Sequence, residues 1–484
     1  MRPSVDGRPA PTHATIAPAE SAAATWGPRF LAMVLVGGAA SFVIGMKWAL
    51  SLMTAAAVAM MLVSLAHPVV SALAMTCMAV LDGHAADFLQ STQMGNPLGQ
   101  VTAGLWRYNT VGYVLVLVTV WALPVAFGRR DAHTRLAMLF TAFLAVCLIW
   151  SPDPGHGLQL LMDVFSFFGL LVIFARVVND PECWYWIGVV GGTLAAIAGF
   201  TYLANYRSIP FTNPNVAVFV PLMGMFAVCL AFARGASSAP RQLLLSGLAI
   251  VNLLWTFLST SRGGLMTGTA CLIFLALQVQ NARRRAVLII GTLLLGITLT
   301  SLFTPLQQSA IQRLTLLFDS SARLRDRTSG RSDLVMGAWE IFKANPFGVG
   351  TGGFEATWAT LGSVNGQRTF MRSGQKFAAH AGWMRVLAEN GFPGFAMLAA
   401  FVLSFAVTAV RLKSRTERNL GILASLALGI SLVSTEFHAK GLFFLAAGVA
   451  VALQARVPLA PAIQAVRWKR MPTLTVRPNR MEVH

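Results

Sequence analysis

From Phe30 almost to Leu453 the chain alternates long apolar runs with short polar breaks. A helix needs about 20 apolar residues to cross a hydrocarbon core of about 30 Å. Runs approaching or reaching that length lie near 30–46, 48–66, 68–82, 110–128, 136–151, 157–176, 184–203 and 214–234. Others lie near 242–260, 263–280, 286–303, 391–412, 418–435 and 439–455. Several are short, so the length rule gives about 12 to 14 spans. The pattern predicts an all-α fold, a polytopic transmembrane helical bundle. One polar stretch, roughly Thr304–His380, interrupts it about two thirds of the way along. A structureless loop of that length would be unusual, so it should hold helices of its own. Leu334, Ala338, Ile341 and Phe342 share one helical face within Ser332–Ala344. Asn345-Pro346 should stop that helix, and Gly348, Gly350, Gly352 and Gly353 should then form a flexible turn. The resulting division is a disordered tail over 1–26, a membrane bundle over 27–303, a large loop over 304–390, further spans over 391–455 and a basic tail over 456–484.

Composition agrees with the pattern. The chain is 56% hydrophobic and 11% charged, with a mean hydropathy of +0.64, whereas an ordinary soluble domain is about a quarter charged. A secreted enzyme, a disordered chain and a single-span receptor are excluded. The formal net charge is +19. No basic stripe with interleaved aromatics accompanies it, so nucleic acid is not the expected partner. The positive charge instead marks alternate connections: Arg129, Arg130 and Arg135; Arg176; Arg234 and Arg241; Arg283, Arg284 and Arg285; Arg411, Lys413, Arg415 and Arg418. Short basic connections stay in the cytoplasm. Both termini are therefore expected there, and Thr304–His380 outside, which in a Gram-negative cell is the periplasm. The cysteines are scattered without a CxxC pair, so neither a disulfide framework nor a cysteine metal site is indicated.

The outward face breaks the charge rule. The long loop carries Arg313, Arg323, Arg325, Arg327, Arg331, Lys343, Arg368, Arg372 and Lys376, and two further arginines, Arg207 and Arg262, sit in short outward turns. An anionic ligand at the membrane face would explain them, because a guanidinium grips phosphate oxygens through a planar two-pronged fork. Arg262 lies in Ser259-Thr260-Ser261-Arg262-Gly263-Gly264 between two nearly abutting spans. Freed N–H groups at that helix start could add to an anion site; an arginine snorkelling to lipid headgroups is the alternative. Arg207 precedes Phe211-Thr212-Asn213-Pro214-Asn215, where interfacial anchoring is the alternative. Arg331 opens the loop helix, where a solvated helix start is the alternative. Asp163 is the main ionisable residue inside a span.

A second informative element runs from His380 to Gly394. His380, Trp383, Met384 and Leu387 fall on one helical face, predicted to turn inward, and Arg385 and Glu389, at i and i+4, can pair on another. Gly391 and Pro393 should end the helix. An imidazole at this level could serve as a general base; a structural histidine is the alternative.

Thr260-Ser261-Arg262-Gly263-Gly264, Arg331 with Trp339, Pro346 through Phe354, and His380 followed by Gly391-Phe392-Pro393-Gly394 together resemble the O-antigen ligase and polymerase (Wzy-like) superfamily over roughly residues 200–410. The family's polar residue after the histidine is Ala381 here. The resemblance implies a GT-C-like membrane glycosyltransferase of the bacterial inner membrane. Its donor would be an undecaprenyl-diphosphate-linked glycan. Its acceptor would be lipid A core for a ligase, or another lipid-linked glycan of O-antigen or exopolysaccharide for a polymerase. It further implies that Arg262 and Arg207 hold the donor diphosphate, that Arg331 is a donor or loop-ordering contact, and that His380 is the base. No cofactor and no metal is expected: the loop acids show no ligand spacing, and arginines can stabilise leaving-group charge. A lipid-linked oligosaccharide flippase or other polysaccharide transporter is the competing function. Such a protein should carry midplane charges and inverted repeats.

Overall fold

The computed structural model describes residues 22–43, 132–158, 180–204, 219–234, 238–258, 262–278, 331–360, 381–412 and 414–434, with single positions between 69 and 80 and at 160, 161, 164, 177, 291 and 294. The spans expected near 48–66, 110–128 and 439–455, all of 286–303 but Gly291 and Leu294, Asp163, residues 1–21 of the expected first tail and the basic tail over 456–484 lie outside them. Among the described residues every regular element is a helix, with no strand. The helices are α1 (Ala22–Val43), α2 (Ala132–Cys147), α3 (Pro181–Ala204), α4 (Phe219–Arg234), α5 (Ala239–Leu258), α6 (Arg262–Gln278), α7 (Arg331–Ala344), α8 (Phe354–Thr360), α9 (Gly382–Arg411) and α10 (Arg415–Ser434). A single 3-10 turn, Leu148–Trp150, extends α2. Helix α1 begins inside the stretch read as tail, at Ala22. One described helix, α9, is long and apolar enough to cross a membrane; Ala22–Gly37, Met138–Trp150, Val220–Arg234 and Met266–Gln278 are shorter apolar helices.

The chain forms two compact units. The first comprises residues 1–114, 179–329 and 437–445. Helix α3 starts under a side-chain cap: Asp180 Oδ1 accepts from the N–H groups of Glu182 and Cys183, both at 3.1 Å, and Pro181 occupies the first helical position. Small residues then let α3 approach its neighbours closely. A Cβ at Gly188 would run into Ala231 of α4, and one at Gly192 into Val228 of α4 and Leu248 of α5. Close backbone approach at small residues is how helices associate where burying apolar surface offers little gain. Asn252 of α5 is fully buried and donates to the Gly192 carbonyl at 2.9 Å and to Leu248 at 2.8 Å.

These contacts fix direction. Arg241 at the start of α5 grips Glu182 at the start of α3, with N···O distances of 2.7 and 3.1 Å, and lies 4.3 Å over the Tyr185 ring. Gly192 faces Leu248, and Gly199 faces Trp255. Helices α3 and α5 are therefore parallel, so the end of α3 at Ala204 and the end of α5 at Leu258 share one end of this unit. Arg262, which opens α6 just after Leu258, belongs to that same end.

The second unit comprises residues 115–178, 330–436 and 446–484. Its α7 presents Ala338 and Ile341 to a core completed by Phe354 and Trp358 of α8 and Ala388 of α9, with Leu334 packed alongside. Three of the four residues of the predicted face of α7 turn to this core; Phe342 is only partly buried and packs near Trp339 instead, ring centroids 5.4 Å apart. The helix stops as Asn345-Pro346 requires, with the Asn345 N–H reaching back to Ile341 and Phe342. Further along α9, Phe401 and Phe405 pack edge to face at 4.6 Å.

Candidate functional site

In the second unit, the turn after α7 and a kink in α9 complete each other. Gly391 has φ +64°, and the helix bends there rather than ending; it resumes and continues to Arg411. Straight helical pairing would send the N–H groups of residues 392 and 393 to the carbonyls of Ala388 and Glu389. Pro393 has no N–H to give, and the N–H of Phe392 goes instead to Pro346 at 3.1 Å. The two released carbonyls accept from the glycine turn: Val349 N–H reaches Ala388 at 3.0 Å, and Gly350 N–H reaches Glu389 at 2.8 Å. The buried backbone groups released at the break thus find partners in a different segment. The expected helix end is corrected to a kink.

The turn itself is not loose. Gly348, Gly350 and Gly352 all have positive φ, where side chains are strained. A Cβ at Gly348 would also overlap the Glu389 carbonyl. Trp150 Nε1 donates to the Gly348 carbonyl at 3.2 Å, and the buried Thr351 hydroxyl donates to Leu144 at 2.8 Å while accepting from Asn390 Nδ2 at 2.8 Å. The flexible turn expected from four glycines is a pinned one.

Beside the kink lies a buried charged cluster. Arg385 Nε donates to Glu389 Oε1 at 2.9 Å, as their i, i+4 spacing predicts; the side chains are 1% and 3% exposed. The Glu389 carboxylate also accepts from the N–H groups of Gly352 at 3.0 Å and Phe354 at 3.3 Å. Arg385 Nη2 lies 2.8 Å from Nε2 of His156. A guanidinium can only donate, so Nε2 presents its lone pair there. Glu355 Oε1 stands 3.5 Å from the same nitrogen, and the His156 backbone N–H is held by Asp153 Oδ1 at 3.2 Å. Burying a charged pair is costly, and these additional hydrogen bonds are what offset it. The inward side of this helix therefore differs from the expected stripe. Leu387 is buried, but Trp383 and Met384 are only partly so, and the face turned fully inward includes Arg385 and Glu389.

Of the four residues singled out from the sequence, Arg262 is the first residue of α6 and Arg331 the first of α7. Arg207 and His380 lie outside the described residues, Arg207 just beyond α3 and His380 just before Ala381, the residue that precedes α9. Arg262 falls in the first unit, Arg331 in the second. Sequence reasoning missed His156. Its one signal was the punctuated segment Ser151-Pro152-Asp153-Pro154-Gly155-His156-Gly157 between two apolar runs.

Residues 247–399 match the family model described as O-antigen ligase. Over that segment the chain is similar to the O-antigen ligase family, which supports placing it in the O-antigen ligase/polymerase superfamily. The match runs from within α5 to within α9 and is narrower than the resemblance over 200–410. It contains Arg262, Arg331, His380, the glycine turn and the Arg385–Glu389 pair; Arg207 and His156 lie outside it. The superfamily's activity is that of O-antigen ligases and polymerases, so an enzyme is the coarse expectation. No curated protein matches the chain.

Proposed function

We propose that this protein is a polytopic inner-membrane glycosyltransferase. It moves glycan from an undecaprenyl-diphosphate donor to an acceptor sugar at the periplasmic face. The observation that carries this reading is the O-antigen ligase match over 247–399, which encloses Arg262, Arg331 and His380. In this reading Arg262 and Arg207 neutralise the donor diphosphate and make it a better leaving group. The parallel packing of α3 and α5 supports their cooperation, since it brings the end of α3, just before Arg207, to the end of the unit where Arg262 opens α6. Arg331 orders the loop or touches the donor, and His380 takes the acceptor hydroxyl's proton during attack. The acceptor is lipid A core or a lipid-linked glycan.

The test is the purified full-length protein in detergent with a synthetic lipid-diphosphate glycan and each acceptor in turn. Transfer to lipid A core identifies a ligase, and lengthening of lipid-linked glycan a polymerase. Movement of the donor across liposomes without any transfer would replace the reading with transport.

A further inference from the structure

We propose that His156 is a positioning residue for glycan transfer, acting through Arg385 on the first turns of α9; the proposal rests on the function given above.

The geometry runs in one direction. His156 sits on a short helical turn beginning at Pro154, tied by its N–H to Asp153. That turn presses against the glycine turn so closely that a Cβ at Gly157 would overlap the Thr351 carbonyl. From this fixed point Nε2 accepts from Arg385 Nη2 at 2.8 Å, while Arg385 Nε is committed to Glu389 at 2.9 Å. The guanidinium is planar and rigid, so partners on two of its nitrogens constrain its orientation. Arg385 stands in the first turn of α9, where its own N–H bonds to the Ala381 carbonyl at 2.9 Å. Ala381 directly follows His380 in the chain. The side chain of His156 thus holds the beginning of α9, which starts at Gly382, two residues after the proposed base in the chain. Its imidazole is 21% exposed and Glu355 is 17% exposed, so this end of the cluster reaches the solvent side while Arg385 is sealed. Among the described residues the charged groups against the imidazole are Arg385, Glu355 and, through Arg385, Glu389, while Asp153 holds the backbone N–H. Positioning of this kind matters because a displacement of about 1 Å at a reacting group can cost about a hundredfold in rate.

Two variants of the full-length protein separate positioning from plain structure. His156→Ala removes the acceptor; His156→Gln supplies an amide oxygen that can accept from Arg385 without an imidazole. Hydrogen exchange over residues 382–390 is read alongside kcat and the donor KM, each normalised to folded enzyme. The expected result for H156A is exchange about tenfold faster in that segment with α10 unchanged. Its kcat should fall about tenfold with little change in donor KM, and H156Q should return both readouts to within about twofold of wild type. Unchanged exchange in H156A overturns the proposal. Faster exchange with wild-type kcat reduces His156 to a structural contact, and an H156Q protein as slow as H156A shows that the imidazole itself is needed, which also overturns it. A wild-type protein without transfer activity sinks the function reading instead, and the exchange data then still report whether His156 holds α9.

Discussion

Arg385 and Glu389 face each other across one turn of α9 at 2.9 Å, both almost sealed from solvent. The pair fastens the helix to two other segments, since Glu389 receives N–H groups from Gly352 and Phe354 and Arg385 reaches His156. Removing one partner strands a buried charge. Glu389→Leu should therefore cost about 3–5 kcal/mol. A double variant, Arg385→Met with Glu389→Leu, should recover only part of that, because the N–H groups of Gly352 and Phe354 stay unanswered. Unfolding in detergent measures both, and full recovery in the double variant would contradict the assigned role of the carboxylate.

Two glycines should respond in opposite ways to the same substitution. Gly391→Ala would place a Cβ against the Pro346 carbonyl at φ +64°. The left-handed conformation alone costs about 1–2 kcal/mol, and the overlap adds to it, so little folded protein should accumulate. Gly247 lies within α5 and a Cβ there meets nothing within 4 Å. Gly247→Ala should leave the fold intact and raise stability by up to about 1 kcal/mol. Melting curves of the two variants side by side decide the matter.

Arg262→Lys keeps the charge at the start of α6 but loses the fork. If a diphosphate is gripped there, transfer should fall by about tenfold or more, since a lysine ammonium is a point charge that cannot make the two parallel bonds of the guanidinium. Arg207→Ala should weaken donor use in a protein that still folds and inserts. Full polysaccharide assembly in an Arg262→Ala strain, at normal expression, would take that arginine out of the site.

For His380 the informative comparison is alanine against glutamine. General-base catalysis contributes typically about 10²–10⁴-fold. His380→Ala should lose transfer on that scale while donor binding survives, and His380→Gln should be nearly as poor, since an amide cannot take the proton. Turnover close to wild type in His380→Gln between pH 6 and 8 would leave His380 an orienting residue.

What the sequence revealed was local. Apolar runs predicted α3 to α6 to within a few residues, and the stop at Asn345-Pro346 and the Arg385–Glu389 pairing followed from spacing alone. The kink was read as an end because Gly391 and Pro393 announce a break in pairing. They do not announce that residues 346–350 supply the replacement hydrogen bonds. Four glycines suggested looseness, yet here they permit close approach. His156 was invisible for a related reason: its partner lies 229 residues away, and nothing periodic connects them. Which face of α9 turns inward likewise depended on that distant imidazole and on the carboxylate's backbone donors, not on the apolar stripe.

The bonds from Val349 and Gly350 to Ala388 and Glu389 join segments that are close in order of synthesis. Both members of each pair leave the ribosome within about forty residues of one another, and closing a loop of that size costs little more than closing one half as long. The turn is already made when α9 emerges, so the bend at Gly391 has its hydrogen-bond donors waiting. His156 was synthesised far earlier. Arg385 therefore joins a carboxylate made four residues after it to an imidazole made long before.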